Sequence, residues 1–74
     1  MILVAALLEP ALRVYTTVRL EFDDQSPLRI TFSRLEHAVD FHERAERLVR
    51  DRADLETCLA TARAHQGFVQ ASGA

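Results

Sequence analysis

Apolar and polar residues alternate from Leu12 to Phe22, the run Asp23-Asp24-Gln25-Ser26-Pro27 turns, and the alternation resumes from Leu28 to Phe32. Two alternating runs joined by turn residues predict an antiparallel hairpin with one apolar face. Val14, Thr16, Val18, Leu20 and Phe22 share that face with Leu28, Ile30 and Phe32. With residues 23 to 27 as the loop, Phe22 faces Leu28, Leu20 faces Ile30 and Val18 faces Phe32. On the other face Glu21 then meets Arg29, and Arg19 meets Thr31. A slip of one residue would set apolar against polar throughout.

A helical pattern follows. Ser33 and Glu36 match the capping box, in which the hydroxyl accepts from the N–H three residues on. Ala38, Phe41, Ala45, Leu48, Arg52, Leu55, Leu59 and Ala62 recur at spacings of three and four, and Leu35 and Val49 widen the stripe. Between Ser33 and Gly67 no Gly or Pro interrupts. The favoured expectation is one helix from about 34 to 66, roughly 50 Å long at about 1.5 Å per residue. The alternative is a helical hairpin, with Asp51 or Asp54 capping a second helix. Gly67 before Phe68 reads as a glycine stop, Arg63 and His65 suit the negative helix end, and residues 70–74 read as a flexible tail.

Residues 1–8, Met-Ile-Leu-Val-Ala-Ala-Leu-Leu, are apolar at every position. Such a run is a buried strand or a piece of buried helix. A strand is favoured because three strands hold a hairpin better than two. The fold class is therefore α+β: an antiparallel hairpin or three-stranded meander, then one long helix or a helical hairpin, in a single domain over residues 1–69. The apolar run lacks a basic leader and is too short to cross a membrane, so the cytoplasm is the expected location.

The 74 residues, 49% hydrophobic with a net charge of −2, describe a globular chain with no bulk attraction for nucleic acid or anionic lipid. All nine basic residues are arginines. Cys58 is the lone cysteine, which excludes an internal disulfide and reads as a reduced thiol. Small domains without disulfide or metal commonly gain stability from a partner chain. A homodimer is expected, with Ile2, Val4, Leu48, Arg52, Leu55 and Leu59 at its interface.

Catalytic chemistry finds no support. His37 and Asp40, and His42 and Glu46, could each share a helix face, but two ligands from one helix are not a metal site. Cys58 and His65 lie two helical turns apart, too far for a nucleophile and its base. The two glycines are both near the C-terminus, so no phosphate-cradling loop exists. Acidic residues alternate with arginine along residues 43–54, as on a solvated helix. The expectation is no enzyme, cofactor or metal. His42 continues the stripe of Leu35 and Val49 and reads as half-buried packing.

The polar face of the hairpin is the best candidate surface. Arg13, Tyr15, Thr17, Arg19, Arg29 and Thr31 fall together there, and arginine beside an exposed aromatic is the composition of protein hot spots. The expected function is a small non-enzymatic module that binds another protein. Bacterial or phage accessory proteins, inhibitors and antitoxin-like proteins share this size and charge. The second reading is a small DNA-binding transcriptional regulator, which one aromatic and an acidic balance disfavour.

Overall fold

In the computed structural model, which describes residues 1–9 and 16–73, the sheet begins with the apolar leader. Strand β1 (Leu3–Glu9) pairs with β2 (Thr16–Phe22), and β2 with β3 (Leu28–Phe32). Helices α1 (Leu35–Arg50) and α2 (Leu55–Arg63) follow, and β4 (Phe68–Gly73) returns to pair with β3. All pairings are antiparallel and the strand order is β1-β2-β3-β4. The fold is α+β, and the leader is a strand.

Thr16, Val18, Leu20, Phe22, Leu28, Ile30 and Phe32 are buried, together with Ala38, Phe41, Ala45, Cys58 and Ala62 of the helices. Both helices therefore cover one sheet face. Alanines at the contact let the helices lie close, and Phe32 and Phe41 fill the space between layers with ring centroids 5.0 Å apart. Leu35 departs from the expected stripe, lying 60% exposed in the first turn of α1.

The faces of the hairpin are as the alternation requires, but the register differs by two residues. Val18 faces Ile30, Leu20 faces Leu28, Thr17 faces Thr31 and Arg19 faces Arg29. A two-residue slip keeps every side chain on its own face, so face burial alone does not fix the register, and the observed one sets Thr16 opposite Phe32. Phe22, expected opposite Leu28, faces Leu3 of β1 instead.

The long helix is broken. Asp51 N–H donates to Arg47 O at 2.9 Å, Arg52 N–H to Val49 O at 3.1 Å and Ala53 N–H to Leu48 O at 3.0 Å. This is the bond pattern of a helix stop built around a left-handed residue. Arg52 is that residue, with φ of 53°. Glycine adopts this conformation freely, whereas a residue with a Cβ bears about 1 kcal/mol of strain. Asp54 then caps α2, its Oδ1 accepting the Thr57 N–H at 2.8 Å. Arg52 thus leaves the seam for an exposed turn.

Ser33 does not cap α1. The N-cap is Arg34, with no side-chain hydrogen bond, and Ser33 N–H donates to Gly67 O at 2.8 Å. That bond ties Ser33 to the β4 side, so the helix starts one residue late and Glu36 falls out of capping-box register. Residues 70–73, expected in a tail, belong to β4: Gln70 faces Thr31, Ala71 faces Ile30, Ser72 faces Arg29 and Gly73 faces Leu28. Gly67 has φ of +82°, which turns the chain into that strand.

Candidate interaction surface

The face of the sheet turned away from the helices carries two full rows of side chains. Glu9, Thr17, Thr31 and Gln70 are neighbours across the four strands, and so are Leu7, Arg19, Arg29 and Ser72. Directly opposed residues share a face, so each row lies on the open side. Ala5 and Glu21 begin a third row.

Arg19 and Arg29 would repel each other as direct neighbours. Glu9 resolves this. Its Oε2 accepts from Arg19 Nη1 at 3.1 Å, and its Oε1 lies 3.4 Å from Arg29 Nε. Glu21 Oε2 stands 3.4 Å from Arg19 Nε, near enough for attraction but outside hydrogen-bond geometry. Two arginines thus meet two carboxylates. Thr17 and Thr31 present their hydroxyls 3.5 Å apart beside this cluster. The result is a flat polar patch of balanced charge, bordered by Leu7, which is 39% exposed.

Of the residues the sequence places on this face, Thr17, Arg19, Arg29 and Thr31 come together as expected. Arg13 and Tyr15 lie outside the described residues. Glu9, Leu7, Gln70 and Ser72 escape a sequence reading. An apolar run hides which side of β1 is open, and β4 lacks an alternating pattern. The Glu9-Pro10 pair in the sequence, a punctuation signal, could have marked Glu9 as the end of a strand beside the hairpin.

The residues expected at an oligomer interface divide into two groups. Ile2, Val4 and Arg52 line one open cleft of about 360 Å³, with Leu3, Asp23 and Val49. Leu48, Leu55 and Leu59 are half-buried and pack on the core of their own chain instead. A bulge between Leu3 and Ala5 separates the sides: Leu3 is buried, Ala6 and Leu8 pack on the core, and Val4 is 51% exposed.

Cys58, His65 and His42 lie away from this face, against the core. Cys58 is fully buried, and burial, with a lesser push from Asp54, raises its thiol pKa to about 11. Its thiolate is scarce at neutral pH. His65 meets Phe32 and Phe41 edge-on, at centroid distances of 5.6 and 5.5 Å. Burial first, and then nearby Arg44, holds its pKa below the ordinary histidine value. His42 is half-buried as its place in the stripe requires, with Nε2 3.0 Å from Ala6 O on β1. Among the described residues no three His, Cys, Asp or Glu side chains are grouped to hold a metal ion, and no helix is long and apolar enough to cross a membrane.

In comparisons with protein-family models, curated proteins and solved structures, nothing matches this chain.

Proposed function

We propose that this protein is a small non-enzymatic interaction module, acting in the cytoplasm as a homodimer that binds another protein through the open face of its sheet. Accessory, inhibitor or antitoxin-like roles fit such a module. The reading is carried by the asymmetry of the sheet: one face is buried under both helices, and the other offers preordered hydrogen-bonding groups beside an apolar border. Ion pairs fix the arginines before any partner arrives, which lowers the ordering cost of association. The balance of charge favours protein over DNA, because Glu9 and Glu21 already neutralise Arg19 and Arg29. The buried thiol of Cys58 needs no oxidising compartment.

The test is affinity capture from the source cells with the wild-type chain and a Thr17→Arg, Thr31→Arg variant. These substitutions leave the core untouched and make the patch bulky and basic. A protein held by wild type and lost from the folded variant is the expected result. Recovery of the same proteins by both chains would contradict this use of the face.

A further inference from the structure

We propose that two copies of this chain meet at the start of β1 and the α1–α2 turn, about a two-fold axis that sets Arg52 of each copy against Asp23 of the other. The proposal rests on the homodimer part of the reading above and specifies which surface the copies use.

Exposed apolar surface is concentrated here. Of the six large apolar residues that stand exposed among the described residues, Met1, Ile2 and Val4 lie in the first four positions. Ile2 and Val4 open onto the cleft floored by Leu3 and Val49. An apolar centre with a polar rim is the anatomy of a protein interface.

The flanks of this patch carry opposite charge. On one side Asp23 N–H donates to Ile2 O at 3.1 Å, and Ile2 N–H donates to Asp23 Oδ1 at 3.0 Å. On the other side Leu3 N–H donates to Ala53 O at 2.9 Å, which draws the turn with Arg52 along the outer edge of β1. The order across the patch is therefore Asp23, Ile2 with Val4, then Arg52. A two-fold axis through the centre exchanges the flanks, so each Arg52 faces Asp23 of the other copy. The surface is complementary to itself.

Arg52 is also conspicuous where it stands. Its left-handed φ of 53° belongs to a position where glycine would relieve strain. Strained residues persist where the surroundings or a function require them, so the outlier motivates a functional reading. Arg52 has no carboxylate within ion-pair distance among the described residues. A long cation at the rim of an apolar cleft, with no ion-pair partner among the described residues, suits a partner's carboxylate. The turn itself blocks the start of the β1 edge, and His42 holds Ala6 O. These contacts direct the copies to side-chain packing over the patch rather than to extension of the sheet.

Sedimentation equilibrium on the full chain, over a concentration series, tests this. Wild type should approach twice its 8.4 kDa chain mass. Arg52→Gly should melt higher than wild type at dilutions where both are monomeric, yet associate more weakly by about tenfold or more. Val4→Asp should abolish association. Arg52→Asp should weaken it further than Arg52→Gly, and adding Asp23→Arg should recover part of the loss. A wild type that stays at 8.4 kDa throughout the series removes the homodimer and this interface together. A wild-type dimer whose affinity is unchanged by Arg52→Gly or by Val4→Asp leaves the homodimer standing and overturns this interface.

Discussion

The imidazole of His37 occupies the space that a side chain on Gly67 would need. A Cβ built there would fall 2.3 Å from His37 Cδ2, and the backbone φ of +82° is one that residues with a side chain rarely adopt. Gly67→Ala should therefore destabilise the fold by about 2 kcal/mol or more, read from urea unfolding. Gly73→Ala provides the comparison, since its Cβ would meet the side-chain end of Leu28 at 3.0 Å, with Leu28 Cα and Pro27 O at an ordinary 3.5 Å and no unfavourable φ. Its cost should stay under about 1 kcal/mol. Equal losses at both glycines would contradict this account of the turn into β4.

Asp54 and Ser33 test where the helices begin. Asp54→Ala removes the side-chain acceptor of the Thr57 N–H and should lower the melting temperature clearly. Ser33→Ala removes no cap and should leave it nearly unchanged. That same bond to Thr57 holds the Asp54 carboxyl below its ordinary value of 3.8. A carboxyl depressed in the folded state supports stability above its unfolded pKa and loses that support as pH falls through the folded pKa. The acid limb of the stability curve should therefore flatten in Asp54→Ala. An unaltered limb would count against the cap.

Glu9 holds two arginines apart. Glu9→Gln should cost about 1 kcal/mol at low ionic strength, because Arg19 and Arg29 are left facing each other. In about 1 M salt, where the screening length is near 3 Å, the loss should shrink. A double-mutant cycle with Arg29→Gln isolates the pair, and a coupling of zero would mean that the pair contributes nothing to stability.

His65 should make the protein more stable at neutral than at mildly acidic pH. Its pKa is lowered from 6.5 chiefly by burial, so the unfolded chain binds the proton first. The contribution is complete above about pH 6.5 and is lost as pH falls from there towards the folded pKa. His65→Leu should reduce the slope of unfolding free energy against pH in this window. The same slope in both chains would show that His65 is not the titrating group.

The hairpin faces were legible because one side of Thr16–Phe22 and of Leu28–Phe32 is buried, which stamps period two on the residues. Other features left weaker marks. Both candidate registers keep the apolar faces together, and the one adopted leaves Phe22 to pair with Leu3 of β1, a strand that is not itself alternating. Val-Gln-Ala-Ser-Gly in β4 has little strand propensity; the ladder to β3 and Phe68 opposite Phe32 define it. The break between helices was masked by Arg52, a charged residue where glycine commonly signals the stop. Half of the candidate face was legible in Thr17, Arg19, Arg29 and Thr31. Glu9 and Leu7 became visible only once the leader lay beside β2.

The most direct test of the open face as a protein-binding surface is site-specific photo-cross-linking in the source cells. A photoreactive residue replaces Thr31 on that face in one chain and Glu43 on the exposed side of α1 in another. A discrete cross-linked protein at position 31, and none at position 43, is the expected result. Cross-links at 43 alone, or transfer from position 31 to nucleic acid, would contradict it.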